Sequence, residues 1–157
     1  MAAVIADTSS LIAFHQIGHL SLLEPLFAEI HIPPSVAHEA APTLPDLPSW
    51  IRIREPTRPL HPEILQALLG PGESDALALA LEIKADLVII DERAARRLAV
   101  RLGLQITGTA GVLLRAKEMG LIPAVRPLLD ARLRFDFHLS PDIRARVLAT
   151  AGEQEKD

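Results

Sequence analysis

Short apolar runs alternate with longer segments of helical periodicity along this 157-residue chain. Residues 2–6 (AAVIA) are small and apolar and end in Asp7, which predicts a first strand. Thr8, Ser9 or Ser10 can cap the helix that follows, with Leu11, Ile12 and Phe14 on its inner side. Gly18 breaks the pattern, and residues 20–29 predict a second helix that forms a hairpin with the first. Ile30-His31-Ile32 is a short strand. Pro33-Pro34 stops it and presets φ for a helix over residues 35–41.

Prolines at 42, 45, 48, 56, 59 and 62 then punctuate the chain. Between them WIRIR, residues 50–54, alternates and predicts an edge strand. A short helix over 63–69 follows. Residues 70–92 (GPGESDALALALEIKADLVIIDE) form the central pattern: a helix with an acidic start, a turn, and the unbroken apolar run Leu87-Val88-Ile89-Ile90 ending at Asp91. An unbroken run of that kind marks a strand buried on both faces of a parallel sheet. Further elements are a helix over 93–102 ended by Gly103, a strand over 104–106, and helices over 110–119, 123–133 and from Ser140-Pro141 to about 150. The alternation predicts an α/β fold with a central, mainly parallel sheet flanked by helices. One domain over 1–150 is expected, with a charged, frayed tail over 151–157.

Composition narrows this picture. Hydrophobic residues are 49% of the chain, which argues against disorder, and cysteine is absent, which excludes disulfides and thiolate metal sites. Every apolar run is interrupted by charge or proline, so no membrane span is expected, and the first residues lack the basic stretch of a signal peptide. A cytoplasmic location follows as the default. The net charge of −4 argues against a broad surface coated by nucleic acid. It does not exclude an enzyme that reaches nucleic acid through metal ions.

The chemistry resides in the acids. If the first strand is central and the 87–90 strand lies beside it, Asp7 and Asp91 leave the sheet at the same edge, facing a switch point. At about 100° per residue, Glu73 shares the side of its helix that carries Ala76, Leu77 and Ala80, while Asp75 falls on the side expected to be solvated. Asp7, Glu39, Glu73 and Asp91 are therefore expected to converge. Crowded carboxylates repel, and a hard divalent cation, magnesium or manganese, is the physical remedy. Arg93, Arg97 and Arg101 share one helix face; a solvated face is the simpler reading, with substrate phosphates or the acids of a protein partner as the functional alternatives. Ser9 and Thr109 are candidates for a supporting role near the acids, with capping of the local helix as the simpler reading of Thr109. Glu92 is expected to be a solvated neighbour of Asp91.

In order and spacing, the segments VIADTSSLI, IPPSVAHEA, GESDALALA, LVIIDERAARRLA and ITGTAGVLLRAKEMGLI resemble the PIN domain family, over roughly residues 2–133. More narrowly, the chain resembles a PIN-like subfamily with a Gly-Glu pair opening its third acidic element. The resemblance implies a PIN-like three-layer fold and a VapC-like, Mg2+- or Mn2+-dependent ribonuclease. It implies cleavage of single-stranded RNA to 5′-phosphate and 3′-hydroxyl ends. It further implies a small antitoxin protein and a homodimer as partners. Asp7, Glu39, Glu73 and Asp91 match the family's acids, and Asp75, which matches an Asp-Ala pair common in the family, is the competing third acid. Two other functions fit the same residues: a catalytically weak PIN-like binding or assembly module, and a single-strand or flap DNA nuclease.

Overall fold

The computed structural model describes residues 2–135 and 139–153. Five strands form one sheet: β1 (Val4–Ala6), β2 (Ile30–Ile32), β3 (Ile51–Ile53), β4 (Leu87–Ile89) and β5 (Ile106–Thr107). Their order is β3-β2-β1-β4-β5 and every pairing is parallel. β1 is central, and β3 is the edge strand expected from WIRIR. The chain first winds outward through β2 and β3, then returns across β1 to β4. The switch point therefore lies between β1 and β4, where Ala6 is level with Ile89.

Helices cover both faces. Side chains alternate along a strand, so Val4 and Ala6 enter one core while Ile5 enters the other. The first core is built against α1 (Thr8–Gln16), α2 (Leu23–Phe27), α7 (Thr109–Glu118), α8 (Arg126–Leu133) and α9 (Pro141–Thr150). The second is built against α4 (Pro62–Gln66), α5 (Pro71–Glu82) and α6 (Arg93–Arg101). α3 (Pro34–Ala40) bridges them, packing on both α1 and α5. This is a PIN-like α/β arrangement of three layers. Among the described residues no helix is long and apolar enough to cross a membrane.

Some elements differ from expectation. The helix predicted over 20–29 is a 3-10 turn at Leu20–Leu22 followed by the five-residue α2, and Ala28 takes φ 65° before β2. That left-handed residue turns the chain sharply enough for Ile30 to pair with Trp50. The strand predicted over 104–106 sits further on, at Ile106–Thr107, because Gly103 closes α6 and residues 104–105 bring the chain back to β4. The helix predicted over 123–133 starts only at Arg126. Its start is held by Glu153, placed by sequence in the frayed tail: the carboxylate accepts from the amides of Val125 (2.8 Å) and Arg126 (3.0 Å) and from Lys117 Nζ (3.1 Å).

Candidate active site

Each acid singled out in the sequence leaves the fold near the carboxyl edge of the sheet. Asp7 follows β1 directly and caps α1, its Oδ1 accepting from the Ser10 amide at 2.9 Å. The Ser10 hydroxyl donates to the Ile89 carbonyl at 3.2 Å, tying α1 to β4. Asp7 is fully buried, and its Oδ2 has no hydrogen-bond partner among the described residues. Burial pushes its carboxyl up from 3.8 to about 6; hydrogen bonds from Ser10 oppose that shift, and the negative charge of Asp91 adds to it.

Asp91 stands beside Asp7 after β4. Thr109 holds both of its oxygens, the amide donating to Oδ1 at 2.8 Å and the hydroxyl to Oδ2 at 2.5 Å. Thr109 is fully buried, and Gly108, not Thr109, is the N-cap of α7. The threonine therefore orients Asp91 rather than capping its helix, which corrects the simpler reading. A Cβ at Gly108 would lie 2.6 Å from Asp91 Oδ1 and 2.9 Å from Arg96 Nη1, so only glycine leaves room for that pair of side chains.

Glu39 reaches in from α3. Its Oε2 accepts from the Thr8 hydroxyl and its Oε1 from the Gly72 amide, each at 2.8 Å. A Cβ at Gly72 would lie 2.7 Å from Glu39 Oε2 and 2.8 Å from Thr8 Oγ1. The glycine of the Gly-Glu pair is thus the seat on which Glu39 rests. The next residue, Glu73, lies in the first turn of α5 and is half-buried. Burial pushes its carboxyl up from 4.5 to about 7, aided by the charges of Asp7, Glu92 and Glu39.

Asp75 behaves differently. Its Oδ2 accepts from the Ser35 hydroxyl at 2.6 Å, and it contributes to neither raised pKa. The side of α5 expected to be solvated is covered by α3, so Asp75 serves the packing of those two helices. Glu92 is exposed as expected, and it caps α6 by accepting from the amides of Ala94 and Ala95.

The supporting residues are partly different from those expected. Ser9 is exposed and makes no side-chain hydrogen bond among the described residues; its neighbours Thr8 and Ser10 make the contacts. Arg93 lines an open groove of about 380 Å³ beside Asp91, but Arg97 is exposed and lies outside it. Arg96 takes that place, half-buried with Nη1 on the Ile90 carbonyl at 2.7 Å. Its position one turn beyond the capping Glu92 is the sequence signal that would have found it.

Among the described residues no three histidine or acidic side chains meet closely enough to hold an ion as they stand. Glu39 and Asp91 each commit both oxygens to neighbouring donors. The donor chemistry nonetheless fits a hard cation. Every candidate ligand is a carboxylate oxygen, Asp7 Oδ2 is buried without a partner, and Glu73 is held against other negative charges. Magnesium keeps several waters and takes only one or two carboxylates directly, so a closed cluster is not required.

The family model of the PIN domain matches residues 3–153. No curated protein matches the chain.

Proposed function

The chain belongs to the PIN domain family, whose members are in general metal-dependent nucleases, and from that premise we propose that it is an endoribonuclease acting on single-stranded RNA. Asp7, Glu39, Glu73 and Asp91 are the residues that would hold Mg2+ or Mn2+, directly or through water. The observation that carries this reading is the buried, unpartnered Oδ2 of Asp7 beside a second carboxyl raised to about 7. Two acids in that state repel each other when both are ionised, and a proton or a cation relieves that repulsion. A bound divalent ion lowers the pKa of its water and takes up charge developing on the phosphate oxygens.

The chain's own residues have separate tasks. Thr109 fixes the Asp91 carboxylate through both oxygens, and Thr8 with Gly72 fixes Glu39. Burial and neighbouring charge raise the Glu73 carboxyl to about 7, so near neutral pH a cation bound there would displace its proton. In the reaction water adds to phosphorus, the bond to the 3′ oxygen breaks, and that oxygen leaves as a hydroxyl. A 5′-phosphate and a 3′-hydroxyl result. The cell-level role consistent with this activity is that of a toxin restrained by a small antitoxin protein.

Cleavage of a panel of single-stranded RNAs with manganese, magnesium or chelator tests the reading. Wild type should cut only with the metals. Glu73→Gln and Asp91→Asn should lose at least about a hundredfold of that rate, the scale expected when a metal-site carboxylate is removed. Asp75→Asn should retain most of it. Cutting that persists in chelator, or loss with Asp75→Asn but not with Glu73→Gln, would overturn the assignment.

A further inference from the structure

The groove beside Asp91 has two unlike walls. One is α6, which presents Arg93 and Arg96; the other is apolar and includes Leu139 and Ile143, just before and within the first turn of α9. Its floor is the turn into α7, where Gly108 and Gly111 carry no side chain. A Cβ at Gly111 would run into the Thr107 hydroxyl, so the floor is kept low by necessity. Arg96 is the built feature of this groove. The Ile90 carbonyl holds one end of its guanidinium in place, and its other N–H groups meet no acceptor among the described residues. Asp91 Oδ1 and Arg96 Nη1 flank one point above Gly108, yet they form no ion pair. A planar fork of donors, oriented but unspent, matches a phosphate oxygen pair.

We infer that this groove binds one nucleotide of a single-stranded substrate next to the cut site, with Arg96 on its phosphate and the apolar wall of Leu139 and Ile143 against its base. This rests on the nuclease reading and adds to it a substrate contact. Three observations favour a nucleotide as the occupant. The groove runs on from Asp91, its volume of about 380 Å³ suits a small-molecule site, and its arginines complement a phosphodiester in a chain that is otherwise net negative.

Binding, not cutting, is the test. Anisotropy of a labelled oligouridylate and a labelled oligothymidylate, in chelator and over a range of salt, is measured for wild type and variants. Arg96→Met should weaken binding about tenfold and reduce the salt slope by about 0.7, the loss of one phosphate contact. Arg96→Lys should fall between, because a point charge replaces the fork. Ile143→Glu, on the opposite wall, should also weaken binding about tenfold. Lys84→Gln removes one charge at the far edge of the sheet and should change it by less than about twofold. If Arg96→Met fails to fold, judged by its melting transition, Arg96→Lys and Ile143→Glu decide. Equal small effects for these variants and Lys84→Gln would overturn the inference. The two polymers say whether the groove distinguishes ribose from deoxyribose. Wild type that binds through Arg96 without cutting would sink the nuclease reading and leave the groove. Wild type that cuts while the groove variants bind normally would do the reverse.

Discussion

The protonation state of two side chains governs how this site behaves in the absence of a cation. The Asp7 carboxyl is raised to about 6 by burial, and Glu73 to about 7 by burial and neighbouring charge. Both therefore hold protons in the folded chain that they would release if unfolded at the same pH. A raised carboxyl contributes stability that is fully present below its unfolded value, near 4, and lost as pH rises through the folded value. In chelator, wild type should thus lose stability between pH 5 and pH 8. Asp7→Asn should make that loss smaller by about 1 kcal/mol, measured by urea unfolding at the two pH values. Comparing the two pH values removes any constant cost of a buried amide. An unchanged difference would mean that Asp7 is ionised throughout. Manganese at pH 8 should raise the melting temperature of wild type, and raise it much less in Asp7→Asn, since binding to the folded state alone adds stability.

At the scale of elements, the site depends on where helices begin. The first turn of α5 brings Gly72 against Glu39 and Thr8, and so joins α1, α3 and α5. Gly72→Ala should be revealing because two effects oppose. Alanine favours the helix by up to about 1 kcal/mol, while the new Cβ must push Glu39 or Thr8 aside. The melting temperature should therefore change little while metal-dependent cutting falls at least about tenfold. Full activity in this variant would remove Glu39 from the site. The start of α8 is a second such case. There Glu153 supplies the anion that the helix lacks locally. Its carboxyl is lowered overall: burial acts to raise it, but hydrogen bonds from Val125 and Arg126 and the charge of Lys117 outweigh that. Its stabilisation is present above the unfolded carboxylate pKa and is lost as pH falls through the lowered value. Glu153→Gln should cost about 1 kcal/mol, a drop of about 2–4 °C in melting temperature at neutral pH with no effect at the acids.

At the scale of the molecule, much was legible because it depends on local pattern. Apolar runs ending in Asp7 and Asp91 marked strands and their carboxyl ends, and a parallel sheet places such ends at one edge. The helical phase of Glu73 and Asp75 separated them, although its stated reason was incomplete. Asp75 avoids the other acids by bonding to Ser35 on α3, not by facing water. Ser9 and Arg97 each sit one position from residues whose side chains make the contacts near the acids, Thr8 and Ser10 in the first case and Arg96 in the second. Spacing locates a functional helix turn well, but the side chain that points inward is set by how the helix sits on the sheet.

The sequence by itself determined the alternation of strands and helices, the acids available and the edge at which they emerge, because these follow from hydrophobic period and chain connectivity. Only the tertiary structure decided how each acid is held. Glu39 depends on Thr8 and Gly72, Asp91 on Thr109, and Asp75 on Ser35. Those partners lie between 18 and 40 residues away along the chain. A carboxylate's charge state and direction come from its neighbours in space, and no local pattern specifies them.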